Sequence, residues 1–319
     1  MDVFDVTASR VALLWGGWAD ERDISHESAV ACERALRDAG FSDVSLLDVA
    51  DPGFVTTLAQ GRFDVAFVAM HGAYGEDGCI QGLLEVMHIP YTFSGVLASA
   101  MASDKEVSKT VFKQAGIPVP RGICVSREDR DDVVERVRPL GLPLFVKPAV
   151  NGSSYGVTRV TDLAQLPAAL DLAFESCDHA LVEECVEGTE ITVPVIGNDD
   201  PEALSVVEIV TGAEFYDIKV KYEPSELHHV IPARLDPEVY ARAQELAVAA
   251  HLALGCSGAS RSDFIVTGDG TPVILETNTI PGMTERSLLP DSANRSGIPF
   301  AELCRRFVAW AYERHAQDR

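Results

Sequence analysis

Residues 258–284 read GASRSDFIVTGDGTPVILETNTIPGMT, and this stretch predicts a β-hairpin with one polar face. Two runs rich in β-branched and aromatic residues, SDFIV and PVILET, flank the turn sequence TGDGT. A hairpin folded symmetrically about the Asp-Gly bond of that turn pairs Asp263 with Glu276 and Arg261 with Asn278. Because alternate residues of a strand share a face, these four side chains are predicted to project to one side.

The polar face combines two carboxylates, an amide and a guanidinium. Carboxylate and amide oxygens suit Mg²⁺ shared with nucleotide phosphates, and the arginine suits a phosphate or a developing oxyanion. A solvent-exposed face with a surface ion pair explains the same residues, and a one-residue bulge would break the register. On these residues alone both interpretations remain open. The opposite face is predicted to face a core through Phe264, Val266, Val273 and Leu275.

Composition restricts the classes of partner. The chain has 319 residues, 47% of them hydrophobic, which is enough for two or three domains with real cores. A formal net charge of −23 repels nucleic acid and anionic membranes, so bound phosphate has to be held by local cations and backbone amides. The seven cysteines never occur as CxxC, which argues against disulfides and zinc. With no signal peptide and no apolar run of membrane-spanning length, we expect a cytoplasmic protein with no nucleic-acid or membrane partner.

Two kinds of strand pattern divide the chain. Up to about Ser103, apolar strands alternate with helices, which predicts a parallel α/β sheet whose ligands lie at the carboxyl ends of the strands. The Gly-rich stretches GGWADERDIS and HGAYGEDG fall at those ends. After the proline-marked boundary IPVPRG, strands follow one another through tight turns, which predicts an antiparallel α+β region. Residues 211–229 have little apolar periodicity and fit a long functional loop.

The segment GSSYG at residues 152–156 matches the G-x-S-x-G pattern of serine hydrolases, with Ser154 as nucleophile. That motif needs a strand-to-helix turn, but both flanks read as strands, so we favour a loop that closes over phosphates beside Lys147. Glu183 and Glu190 suit the adenine amino group and the ribose hydroxyls, and exposed surface glutamates explain them equally well. His71, which follows an apolar strand, suits either a turn role or a substrate contact.

Taken together, the segments resemble the D-alanine-D-alanine ligases of the ATP-grasp superfamily. The resemblance runs from about Val11 to Pro290 and rests on ordered stretches that include GGWADERDIS, HGAYGEDG, VKPAVNGSSYG, LVEECVEGTE, FYDIKVKY, GASRSDF and ETNTIPGMTERSLLP. It implies a Rossmann-like N-terminal parallel sheet followed by an ATP-grasp fold of two α+β subdomains. The boundaries that we expect are an N-terminal α/β substrate domain over 1–103, a central subdomain over 104–200, and a C-terminal subdomain over 201–319 with lid loop 211–229.

The resemblance also implies the ligands and the nucleotide site. ATP would be the co-substrate, with two Mg²⁺ ions for which Mn²⁺ can substitute, and the protein would be a homodimer. The metal ligands would be Asp263, Glu276 and Asn278. The residues that would bind ATP are Lys105 and Lys147 on the α- and β-phosphates, Ser154 in the loop over the triphosphate, Glu183 and Glu190 on adenosine, and Lys221 on the γ-phosphate.

For the amino-acid substrates, the resemblance implies phosphoryl transfer from ATP to a first D-alanine and attack by a second on the acylphosphate. The residues implied are Glu21 on the ammonium of the first substrate, linked to Ser153 and Tyr222; Arg261 and the backbone amide of Gly282 on the tetrahedral intermediate; and His71 and Ser287 as substrate-binding residues. Ligases that take D-serine or D-lactate second are the alternative, and Tyr222, where phenylalanine would indicate the lactate branch, disfavours D-lactate.

Overall fold

The computed structural model describes residues 5–150, 155–211, 227–284 and 286–317. Within these ranges the chain forms one parallel sheet followed by two antiparallel sheets, so the predicted change from α/β to α+β organisation is confirmed. None of the described helices is both long and apolar enough to cross a bilayer.

The first sheet is parallel and has the strand order β2-β1-β3. Its central strand carries the run VALL, whose four side chains are fully buried, as expected of a parallel strand covered on both faces. The elements of this region are strands Arg10–Trp15 (β1), Asp43–Asp48 (β2) and Val65–Val68 (β3) and helices Arg22–Asp38 (α1), Phe54–Gln60 (α2), Cys79–Val86 (α3) and Val96–Ser103 (α4), after a 3₁₀ helix at Val6–Ala8.

The second sheet is antiparallel with order β4-β7-β5-β6. Its elements are helices Lys105–Gln114 (α5), Val133–Val137 (α6) and Leu166–Ala173 (α7), strands Gly122–Ser126 (β4), Leu144–Pro148 (β5), Thr158–Val160 (β6) and His179–Glu184 (β7), and 3₁₀ helices Arg138–Leu140 and Leu163–Gln165. Strands β5 and β6 pair with each other on either side of the GSSYG segment. The segment is followed by strand β6 rather than by the helix that a serine hydrolase needs, which removes that interpretation of Ser154, itself outside the described residues.

The third sheet is antiparallel with order β11-β10-β8-β12-β13, and β9 also pairs with β8. Its elements are strands Gly188–Gly197 (β8), Glu202–Ala203 (β9), Val207–Thr211 (β10), Leu227–Val230 (β11), Gly258–Thr267 (β12) and Pro272–Asn278 (β13), with helices Pro237–Leu254 (α8), Leu288–Arg295 (α9) and Phe300–Gln317 (α10). Strand β8 precedes the boundary that we expect at residue 200 and yet pairs with β12 along its whole length.

The C-terminal helix returns to the first sheet. Phe307 of α10 is fully buried and lies within 6.4 Å, ring to ring, of Phe67 in β3 and within 4.9 Å of Phe93. The core of the parallel sheet also includes Met283, from the loop after β13. This packing places that loop beside the carboxyl ends of the parallel strands.

The hairpin of β12 and β13 has the expected residue pairs at the polar face, but its register between that face and the turn differs from the one that we predicted. Asp263 pairs with Glu276 and Arg261 with Asn278. Nearer the turn, however, the register is shifted by one residue, and a bulge at Leu275 shifts it back. Our prediction that Val273 and Leu275 share the core face is wrong: Val273 pairs with Ile265, and the fully buried residue opposite Phe264 is Ile274.

Candidate active site

A cavity of about 720 Å³ opens where the three sheets approach one another. It is lined by residues of the first-sheet loops, of the α5 N-terminus, of β8, and of the β12–β13 hairpin with its following loop. The residues predicted from sequence that line it are Glu21, His71, Lys105, Glu190, Arg261, Asp263, Glu276, Asn278, Gly282 and Ser287.

Two side chains of the hairpin form a planar ion pair on its polar face. Arg261 donates from Nε to Asp263 Oδ1 and from Nη2 to Asp263 Oδ2, both at 3.0 Å. Asn278 Nδ2 lies 3.4 Å from the same Oδ2, and Thr192 of β8 donates its hydroxyl to Oδ1. These contacts fix the Asp263 carboxylate and aim the guanidinium along the cavity wall.

Lys105 joins the hairpin to the second sheet. Its Nζ lies 3.3 Å from Glu276 Oε2, and both side chains are largely buried. Asp104 caps helix α5 by accepting from the backbone N–H groups of the next turn, and the Lys105 amide donates to Ala149 O at 2.9 Å. The cap and this bond fix the start of α5 against the end of β5, so that Lys105 reaches β13.

The donor set on the hairpin fits Mg²⁺. Asp263, Glu276 and Asn278 offer two carboxylates and one amide on paired strands facing the cavity, which leaves coordination positions for phosphate oxygens and water. The described residues contain no group of three or more His, Cys, Asp or Glu side chains placed to hold a metal. Two carboxylates and an amide suit a cation that completes its coordination with the phosphate oxygens of a nucleotide.

The first-sheet loops bring Glu21 and His71 together at one end of the cavity. Glu21 immediately precedes α1, and its carboxylate lies against Gly72, where a Cβ would collide with Oε2 and where φ is +71°. His71 is 6% exposed, and its Nε2 lies 3.0 Å from Ser28 Oγ. Both sequence motifs thus contribute to one surface, and the glycine after His71 is required by position and by backbone conformation.

The loop after β13 is attached to the first sheet and organised around Ser287. Its hydroxyl oxygen accepts from the Thr284 amide at 3.0 Å and lies 2.8 Å from Thr284 Oγ1. The Met283 amide donates to Ser28 Oγ at 3.4 Å, so Ser28 contacts both this loop and His71. Gly282 lies between these anchors, and a Cβ there would come 2.9 Å from Ser287 Oγ.

Lys147 and Glu183 are not among the residues that line the cavity; with Lys109 they form a cluster behind it, in which the Lys147 side chain keeps 14% of its surface exposed. Glu183 is 3% exposed; its Oε2 lies 2.7 Å from Lys147 Nζ and its Oε1 lies 2.8 Å from Lys109 Nζ. Burial opposes ionisation of Glu183, but the two ammonium groups prevail and lower its pKa to about 2. Glu183 is therefore not an exposed surface glutamate, which is the other explanation that the sequence leaves open.

Burial acts in the opposite direction on the lysines of this cluster. Burial, and then the neighbouring Lys147 ammonium, lower the pKa of Lys109 to about 8 in spite of Glu183. Burial also disfavours the charged form of Lys147, but Glu183 outweighs it and the pKa of Lys147 is raised. Lys109 is accordingly the member that loses its proton first.

Four predicted site residues lie outside the described residues: Ser153, Ser154, Lys221 and Tyr222. Three further residues of the site were missed by sequence reasoning, namely Ser28, Lys109 and Thr192. A signal existed for Lys109, because it follows Lys105 by four residues and so shares its helix face. Ser28 and Thr192 act through tertiary contacts that no local pattern indicates.

Comparisons with known proteins agree over nearly the whole chain. A family described as D-ala D-ala ligase C-terminus matches residues 111–309, and one described as D-ala D-ala ligase N-terminus matches residues 53–94. A D-alanine-D-alanine ligase of Anaeromyxobacter sp. (strain K) is 49% identical over 304 residues, which is 95% of this chain and 96% of the relative. The corresponding ligase of Desulforamulus reducens is 42% identical over 312 residues, 96% of this chain and 99% of the relative.

Solved structures give the same result. The crystal structure of D-alanine-D-alanine ligase from Bacillus anthracis complexed with ATP is 31% identical, with a TM-score of 0.86 over 98% of this chain and 99% of that chain. The ligase structure from Coxiella burnetii is 28% identical, with a TM-score of 0.85 over 98% of this chain and 96% of that chain.

Proposed function

We propose that this chain, which belongs to the D-alanine-D-alanine ligase family, joins two D-alanine molecules at the expense of ATP. The products are D-alanyl-D-alanine, ADP and phosphate, and the dipeptide serves peptidoglycan precursor synthesis. The protein would act in the cytoplasm as a homodimer. The observation that carries the proposal is the single cavity that joins Glu21 and His71 of the first sheet to the cationic and carboxylate face of the β12–β13 hairpin.

The first step transfers a phosphoryl group. A carboxylate oxygen of the first D-alanine attacks the γ-phosphorus of ATP, the bond to the β-phosphate bridging oxygen breaks, and ADP leaves. Lys105 is the first residue of α5 and Lys147 lies near the end of β5, and the bond from the Lys105 amide to Ala149 O joins these two elements. This proximity supports a role for both lysines on the phosphates. Asp263, Glu276 and Asn278 would hold the Mg²⁺ ions, which neutralise charge on the transferring phosphoryl group.

The second step forms the peptide bond. The free amine of the second D-alanine attacks the acyl carbon, the amine loses a proton, and phosphate leaves with the electrons of the C–O bond. The Arg261 guanidinium and the Gly282 amide line the same cavity, which supports their role as donors to the oxyanion of the tetrahedral intermediate. Exclusion of water matters because an acylphosphate hydrolyses readily.

The two amino-acid substrates would be selected by residues at the ends of the cavity. The Glu21 carboxylate would bind the ammonium of the first D-alanine, with Ser153 and Tyr222 in the same network and His71 beside it. Ser287 would hold the carboxylate of the second substrate, and Glu190, which lines the cavity, would bind adenosine. Glu183 is buried behind the cavity with both oxygens on ammonium groups, so it would reach adenosine only if the nucleotide extends to this cluster. The expected lid loop 211–229 lies outside the described residues except at its ends, where Thr211 and residues 227–229 belong to the paired strands β10 and β11. This loop would close around Lys221 and exclude water.

The test is an ADP-release assay combined with detection of the product. The chain is incubated with ATP, Mg²⁺ and D-alanine, and then with D-alanine paired with D-serine or D-lactate. We expect D-alanyl-D-alanine as the main product, no turnover with L-alanine, and loss of turnover with EDTA that Mg²⁺ or Mn²⁺ restores. If the main product contains D-serine or D-lactate, that compound is the second substrate instead of D-alanine. ADP release without any dipeptide or depsipeptide would overturn the proposal.

A further inference from the structure

The buried cluster behind the cavity contains one more cation than its carboxylate can balance. Lys109 and Lys147 contact opposite oxygens of the single Glu183 carboxylate, at 2.8 and 2.7 Å. Among the described residues, Glu276 is the other carboxylate that acts on both ammonium groups, and it is itself paired with Lys105. Counted over these five described side chains, three lysines face two glutamates, which leaves one excess positive charge when all are ionised.

Packing alone does not explain Lys109. The residue is 4% exposed, and beyond the ion pair its ammonium has no hydrogen-bond acceptor in the described part of the chain. A buried ion pair is commonly replaced by apolar side chains of similar volume without loss of stability. A methionine would fill the same space without N–H donors that lack further acceptors among the described residues, so the charge itself calls for an explanation.

Glu183 is held so that it cannot rearrange freely. Its strand lies between β4 and β5, and Gly122 of β4 packs directly against it, with Glu183 Cγ 2.7 Å from where a Cβ would stand. With its stem fixed, the carboxylate is shared between the two ammonium groups. Without Lys109, both oxygens would be available to Lys147, and the two charges would cancel.

We propose that Lys109 is a positioning residue of the nucleotide site, which acts through Glu183 and leaves Lys147 with uncompensated positive charge for an anionic adenine nucleotide. This inference rests on the proposed function, since it assigns the excess charge to ATP and ADP. Lys109 itself touches neither the cavity nor the nucleotide. Its removal should weaken nucleotide binding while the affinity for D-alanine stays the same.

The protonation of Lys109 supplies a readout that a purely structural role would not move. Its pKa of about 8 places loss of its proton between pH 7 and 9, while Lys147, with its raised pKa, stays charged. The charged groups that act on Lys109 are Lys147, Glu183 and Glu276. Because the nucleotide binds the protonated cluster more tightly, affinity should fall as the pH rises through 8.

The experiment measures the dissociation constant of ADP with Mg²⁺ by calorimetry at pH 7, 8 and 9. The variants are Lys109→Met, Lys109→Arg, Glu183→Gln and the Lys109→Met/Glu183→Gln pair, with Lys113→Met as matched control. Lys113 lies on the same helix but is exposed, so its loss tests the removal of a surface charge. Steady-state KM values for ATP and D-alanine accompany the binding data.

We expect Lys109→Met to weaken ADP binding about tenfold at pH 7, the scale of one charge-assisted contact. Lys109→Arg should stay within a few-fold of the wild type and lose the pH dependence, because arginine keeps its charge. In the double variant, Lys109→Met should change the ADP affinity little beyond the effect of Glu183→Gln alone, since Lys109 acts through the Glu183 carboxylate. Lys113→Met should match the wild type.

Four results would overturn the inference: wild-type ADP affinity in Lys109→Met, effects of Lys109→Met and Glu183→Gln that multiply, an unchanged pH profile in Lys109→Arg, or an equal rise in the KM for D-alanine. If Lys109→Met does not fold, the pH dependence of ADP affinity in the wild type and in Lys109→Arg tests the inference: it should be present in the wild type and absent in the arginine variant. A wild-type chain that binds no ADP and forms no dipeptide would instead contradict the proposed function.

Discussion

At position 282 the available space restricts the residue to glycine. A Cβ would come 2.9 Å from Ser287 Oγ, closer than real Cβ atoms approach another heavy atom. That hydroxyl cannot simply move aside, because it accepts from the Thr284 amide at 3.0 Å and contacts Thr284 Oγ1 at 2.8 Å. The close approach therefore links the backbone amide that we assign to the oxyanion with the side chain that we assign to the second substrate.

Gly282→Ala should therefore impair the second substrate more than the nucleotide. We expect displacement of Ser287 to cost about one hydrogen bond, which corresponds to a rise of roughly three- to tenfold in the KM for the second D-alanine. The KM for ATP should change less than twofold. Gly268→Ala, in the hairpin turn with no atom within 4 Å of its Cβ position, is the matched control. An equal rise of both KM values would contradict the assignment of Ser287.

Single residues also show where sequence reasoning stops. Arg261, Asp263, Glu276 and Asn278 could be placed on one face because a strand has a fixed period of two. Glu183 was equally compatible with a surface position, because its environment consists of lysines that are 74 and 36 residues earlier in the chain. Contacts of that separation leave no local pattern. Their chemistry becomes visible only when the second sheet forms around helix α5.

At the scale of elements, the hairpin register was predicted correctly at the polar face because two deviations compensate. The loop between Thr267 and Thr271 holds three residues, with Gly270 at φ +84°, and this shifts the pairing by one. The bulge at Leu275 shifts it back. Gly270 fits the positive-φ position of a three-residue loop, but the bulge at Leu275 has no signal in the sequence, since leucine is an ordinary strand residue. The bulge is what brings Ile274 into the core while keeping Glu276 on the site.

Helix α8 and strand β12 meet at a buried histidine that should make stability depend on pH. His251 is fully buried, and its Nδ1 lies 2.8 Å from Ser260 Oγ. Burial lowers its pKa from 6.5 to about 4. The folded chain thus favours neutral His251: its contribution is fully present above pH 6.5 and is lost as the pH falls from about 6.5 to about 4.

We expect this effect to reduce the free energy of unfolding by about 3 kcal/mol between pH 7 and 4. The measurement is urea unfolding of the wild type and His251→Leu over that range. The leucine variant should lose less stability, since carboxylate titration is common to both proteins and only the histidine term differs. His88→Asn, which removes an exposed histidine at a position with φ +54°, should follow the wild-type profile. Parallel profiles for the wild type and His251→Leu would rule out His251 as the cause.

For the whole molecule, the cavity is a junction between three sheets that pack on three hydrophobic cores, the first of which also includes Ile196 of β8 and Ala259 of β12. Glu21 and His71 come from the parallel sheet, Lys105 from the start of the second region, and the hairpin from the third. Lys105, Lys109 and Lys147 lie close together although the chain as a whole carries a formal net charge of −23. Composition predicted that phosphate would need local cations, but only the folded chain brings lysines of α5 and β5 to carboxylates of β7 and β13.

This arrangement predicts that each ligand protects a different part of the molecule from hydrogen exchange. ADP with Mg²⁺ should bind between the second and third sheets, so amides of β5, β7 and β13 should exchange more slowly, because a ligand that binds only the folded state suppresses local opening. Adding D-alanine should extend protection to residues 16–25 and 71–79 of the first sheet. L-alanine in place of D-alanine is the control and should add none. Protection of the first-sheet loops by ADP alone, at saturation and without amino acid, would show that the nucleotide lies elsewhere in the cavity and would require a new assignment of Glu21 and His71.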